Sequence, residues 1–165
     1  MSLVATTSGV DSDGVAFARR LVDDAPTRQV DGDPATIGDV LTNLDAQLLV
    51  IPPAQAERLV DEAPCIVAVV PPDAPRPARI ATVGVVWDGS VAAAHARRWA
   101  ANLARRTGAS LELMAPEQAA GAAHPDVTVV GCAGSDRGGF AAQIAVRAPG
   151  PVVVVPLDVP VPAAP

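Results

Sequence analysis

The sequence predicts an α/β protein built on a doubly wound parallel sheet, and three observations carry that expectation. Continuous aliphatic runs such as LLVI at 48–51, IVAVV at 66–70 and VVVV at 152–155 have the pattern of strands covered on both faces. Stretches with helical spacing and cap signals alternate with these runs, which is the order that parallel βαβ units need. The third observation is a repeat. APCIVAVVPPDAP (63–75) resembles APGPVVVVPLDVP (148–160), AFARRLV (16–22) resembles AHARRWA (94–100), and AQLLVIPPA (46–54) resembles DVTVVGCAG (126–134). LVATTSG (3–9) and IATVGVVWDGS (80–90) precede the first helix of each copy. Landmarks in one shared order imply an internal duplication: two abbreviated halves, 1–76 and 77–165, with a junction in PPDAPRPAR (71–79). Proline there ends a strand and cannot continue a ladder.

The first half is expected to run strand 3–7, helix 13–24, strand 28–31, helix 36–44, strand 47–51, helix 54–62 and strand 65–70. Asp11, Ser12 and Asp13 offer caps for the first helix, and Asp33 followed by Pro34 marks the start of the second. The second half is expected to run strand 80–87, helix 90–107, strand 110–114, an irregular stretch, strand 126–131, a glycine loop, a short helix 140–147 and strand 151–156. Ser90 caps the long helix and Gly108 ends it as a left-handed residue does. Trp99 and Leu103, four apart and flanked by Ala92, Ala96 and Ala100, form the stripe that faces the sheet. APEQAAGAAHPD (115–126) is rich in Ala, Gly and Pro where a full half would carry another helix, so this half is trimmed.

Composition excludes several functions. The chain of 165 residues carries a net charge of −6, and its twelve basic residues, all Arg, include the scattered pairs 19/20, 97/98 and 105/106 and form no continuous basic face, so nucleic acid is not an expected partner. No apolar run approaches the ~20 residues of a spanning helix, and MSLVATTSG lacks a basic leader and apolar core, so neither a membrane nor secretion is expected and the setting is cytoplasmic. Cys65 and Cys132 lack metal-ligand spacing and are expected as buried free thiols of a reducing compartment.

Four motifs carry a resemblance. WDGS (87–90) at the end of a strand, the helix and strand that follow it (92–113), the loop VVGCAGSDRGGF (129–140), and the closing APGPVVVVP, echoed by APCIVAVVPP, together resemble the universal stress protein family. The resemblance covers nearly the whole chain. It implies an adenine nucleotide alpha hydrolase-like fold in each half, an internal pseudo-dimer paired through the last strands, Ile66–Val70 and Val152–Val155, and a regulatory or protective role in stress response.

The family's ATP-binding members carry G-x-x-G, nine residues, then Gly-Ser or Gly-Thr, with an Asp at the first turn. Gly131, Gly134 and Asp88 match the first three features. Nine residues beyond Gly134, however, stand Ile144 and Ala145 in place of Gly-Ser. A branched side chain then replaces bare backbone, and a hydroxyl donor is lost. A changed register offers a partial remedy, in which Ser135, Gly138 and Gly139 supply N–H groups if a helix starts near Phe140, with Arg137 reaching a phosphate. In the first half, IPPAQAE (51–57) replaces the loop with two prolines that donate nothing, and Ser8 replaces the turn Asp, so that half is expected to be structural.

The other polar residues have plain readings. His95 is a boundary residue of the long helix, His124 has no ligand cluster around it, and Asp88 is equally a turn former that caps the helix at Ser90. Trp87 either stacks on a base or packs on the neighbouring helix. No Ser-His-Asp order, carboxylate pair or Walker pattern is present, so no catalysis is expected. The expectation is a non-enzymatic binding module with a degenerate nucleotide site and no required cofactor, acting on an unidentified protein partner or as a homodimer. Two rivals remain: an ATP or AMP sensor that uses Asp88 and the glycine loop, and a weak nucleotide hydrolase.

Overall fold

The aliphatic runs form eight strands, β1 (Val4–Thr6), β2 (Thr27–Gln29), β3 (Leu48–Ile51), β4 (Ile66–Val69), β5 (Thr82–Val86), β6 (Ser110–Met114), β7 (Val127–Cys132) and β8 (Val152–Pro156). Five helices intervene, α1 (Ser12–Leu21), α2 (Pro34–Asn43), α3 (Ala56–Leu59), α4 (Val91–Thr107) and α5 (Arg137–Arg147). The computed structural model describes residues 3–22, 25–60, 63–74, 78–121, 124–133 and 137–161. The expected boundary between residues 76 and 77 lies outside the described residues.

All eight strands belong to one sheet in the order β2-β1-β3-β4-β8-β7-β5-β6. Neighbours are parallel except β4 and β8, which are antiparallel with Val67 opposite Val154, Ala68 opposite Val153 and Val69 opposite Val152. β1–β4 therefore end on one edge of the sheet and β5–β8 on the other. This is a Rossmann-like α/β fold, with helices on both faces.

Alternation along the strands builds two core layers. Val67, Val69, Val152 and Val154 face one layer with Ile37, Leu41, Leu59 and Ala145 of α2, α3 and α5. Ile66, Ala68, Val153 and Val155 face the other with Phe17, Leu21, Trp99 and Leu103 of α1 and α4. Small residues let the helices come close: Ala96 and Ala100 on α4 and Ala145 on α5 are fully buried.

Caps set the helix starts. An Asp11 carboxylate oxygen accepts from the Gly14 N–H at 2.7 Å, and the Ser90 hydroxyl accepts from the Ala93 N–H at 3.1 Å. Gly108, at φ +71°, ends α4 in the left-handed conformation.

Three elements depart from expectation. The helix foreseen over 54–62 is, in its described part, a 3-10 turn, Pro53–Gln55, running into α3, and residues 61 and 62 lie outside the described residues. The stretch foreseen as irregular contains a 3-10 turn, Pro116–Ala120, that buries Ala119 in the core. Helix α5 starts at Arg137, three residues before Phe140, so Gly138 and Gly139 are helical rather than part of a loop.

Candidate functional site

In a doubly wound sheet, ligands gather beyond the carboxyl ends of strands whose connections depart in opposite directions. In the last four strands that point lies between β5, whose chain goes on to β6, and β7 on its other side. Val85 stands opposite Val129, so the turn after β5 and the segment after β7 leave the sheet at adjacent ends. Asp88 and Gly131 are thereby brought to one crevice. Gly134 and Ser135 lie outside the described residues.

The local chemistry of this crevice is largely self-satisfied. An Asp88 oxygen accepts from the Ser90 N–H at 2.9 Å, and Gly89 takes φ +80° to make the turn. Hydrogen bonds from the Ser90 side chain and backbone hold the Asp88 carboxyl below the usual carboxylate range. The side chain is exposed, yet it already serves the start of α4. Trp87 is half-buried, with the Arg97 guanidinium 5.9 Å from its ring centroid, so one face of the indole is engaged by α4.

Gly131 is needed for packing. A Cβ there would stand 2.1 Å from the Ala92 carbonyl oxygen and 2.9 Å from the Ala93 nitrogen. The backbone of α4's first turn lies directly on β7, and only a glycine admits it. The match to a phosphate-loop glycine therefore has a complete structural cause.

Ile144 and Ala145, standing where the resembling family has Gly-Ser, are 8 % and 0 % exposed on the core face of α5. They lie well inside the helix, so their N–H groups are bonded within it and cannot meet an anion. The first described turn of α5 holds Arg137, Gly138 and Gly139. A Cβ on Gly139 would meet nothing within 4 Å.

The matching point of the first four strands lies between β1 and β3, and it holds a pocket of about 110 Å³ that the sequence did not reveal. Thr7, buried at its wall, donates from its hydroxyl to the Gln55 side-chain oxygen at 2.6 Å, and the Gln55 amide donates to the Ser8 carbonyl at 3.1 Å. These partners are 48 and 47 residues apart, which is why no local motif announces them. Pro52 and Pro53, which follow β3, carry no N–H, and the Asp33 carboxylate already takes the Thr36 N–H at the start of α2, while Arg58 of α3 puts a guanidinium on the pocket wall. Hydrogen bonds from Thr36, backbone first and hydroxyl second, keep Asp33 below its ordinary range. A carboxylate seated at that helix start repels a second anion.

The histidines are structural. His95 Nε2 lies 2.7 Å from the Val159 carbonyl and ties the chain after β8 to α4, while the His124 ring covers Gly150. Cys65 and Cys132 are buried free thiols, and burial pushes the Cys65 thiol up to about 12. Among the described residues no group of three or more His, Cys, Asp or Glu converges as a metal site, and no helix is long and apolar enough to cross a membrane. No family model matches the chain, and no curated protein matches it.

Proposed function

We propose that this chain is a non-catalytic binding module of the universal stress protein kind, two abbreviated halves paired through β4 and β8 with a degenerate nucleotide site. What supports the duplication is the strand order. Counted inward from either edge it is 2-1-3-4 and 6-5-7-8, the same winding twice, joined at one antiparallel pair. Its role is regulatory or protective binding in stress, with a protein or a second copy as partner. A cytoplasmic setting suits its free thiols.

The single observation that carries the degenerate site is Gly131. Its lack of a side chain serves contact with α4, Asp88 serves the Ser90 turn, and the Gly-Ser donors are replaced by two core residues. Each lost donor weakens phosphate binding by about 1–3 kcal/mol. The second reading, an ATP or AMP sensor, draws on the first described turn of α5, which holds Arg137, Gly138 and Gly139.

Acid extraction of the purified chain and calorimetry with ATP and AMP, with and without magnesium, separate the two. The module reading expects no co-purified nucleotide and no saturable heat up to about 1 mM. Micromolar binding that Asp88→Ala abolishes would install the sensor, and release of phosphate over time would make the protein a hydrolase.

A further inference from the structure

The face carrying α1 and α4 has only two helices over eight strands, because the described part of the β4–β5 link contains no helix. A pocket of about 630 Å³ opens between those helices, beside the start of β4. That volume lies within the ~300–1,000 Å³ typical of small-molecule sites. Its lining is mixed, with apolar surface from Val22, Trp99, Val159 and Pro160 and polar groups from Gln47, Asn102, Arg105 and Arg106. Asn102 and Arg105, three and six positions after Trp99, put an amide and a guanidinium on the same wall.

We propose that this pocket binds a small amphipathic carboxylate, a fatty-acid-like molecule of about ten carbons. The apolar body lies over Trp99, Val22 and Val159, and the carboxylate pairs with Arg105. Charge decides the head group. Arg105 and Arg106 together outnumber Asp45, the one carboxylate among the described lining residues. Arg106 is partly engaged in the wall, where its Nη2 donates to the Leu21 carbonyl at 2.7 Å and fastens α4 to the end of α1. Arg105 is exposed at the mouth and no bond holds it to another described residue, so its planar fork is available for a bidentate pair. A phosphate-rich ligand fits less well, since the apolar part of the wall would meet it with hydrocarbon. Cys65 also lines the pocket, and its raised pKa keeps it a neutral, apolar wall rather than a nucleophile.

The test is a titration with decanoate, read by the emission of Trp99 in the Trp87→Phe chain, where it is the sole tryptophan. The pocket reading expects a saturable shift below about 1 mM, and a melting temperature that rises with decanoate. Arg105→Gln, an exposed change that leaves the core intact, should weaken binding about tenfold, and decanol should bind about tenfold more weakly than decanoate. No saturable signal by either emission or melting would overturn the proposal. So would decanol and decanoate binding alike, or an Arg105→Gln chain that binds decanoate as well as the parent.

Discussion

At Gly131 a single hydrogen stands where every other residue would place a carbon, and the nearest atoms are backbone rather than a movable side chain. Gly131→Ala must therefore push α4 off β7 or distort both, at a cost of about 3 kcal/mol in denaturant unfolding. If the glycine served only a phosphate, the same change would leave stability untouched. Asp88 shows the same economy. It was legible as both a ligand and a turn former, and the hydrogen bond from the Ser90 N–H places it in the turn before α4. The part of the site that stayed hidden is the part made by distance along the chain. Ala92 precedes Gly131 by 39 positions and Gln55 follows Thr7 by 48, so no local spacing reports either contact.

Among elements, strands and long helices were the most legible, because continuous Val and Leu runs and the Ser90 and Gly108 signals act locally. Short helices were not. Glycines 138 and 139 have the composition of a loop, yet they lie in the first turn of α5, where glycine lowers helix propensity by about 1 kcal/mol without forbidding the helix. Gly139 is exposed, has open space around it and lies in α5, so Gly139→Ala should raise stability by about 0.5 kcal/mol. A loss of stability in the unfolding curve would mean a left-handed backbone there, and a loop in place of the helix start. After β3 the difference runs the other way, and a segment foreseen as continuous helix begins as a 3-10 turn before α3.

For the molecule as a whole, one sheet joins everything. Its antiparallel seam sends the carboxyl ends of β1–β4 and β5–β8 to opposite edges, so the Thr7 pocket and the Asp88 crevice face apart, while a third cavity opens beside β4. The repeat in the sequence told of two similar halves. That β4 and β8 meet in one register depends on the side chains that face each core layer, Val67 and Val154 on one side and Ala68 and Val153 on the other. The most direct test of the account is a nuclear Overhauser measurement on isotope-labelled, monomeric protein. Backbone contacts should join Val67 to Val154 and Val69 to Val152 within one molecule. Their absence, or their appearance only between differently labelled copies, would contradict the single eight-stranded sheet.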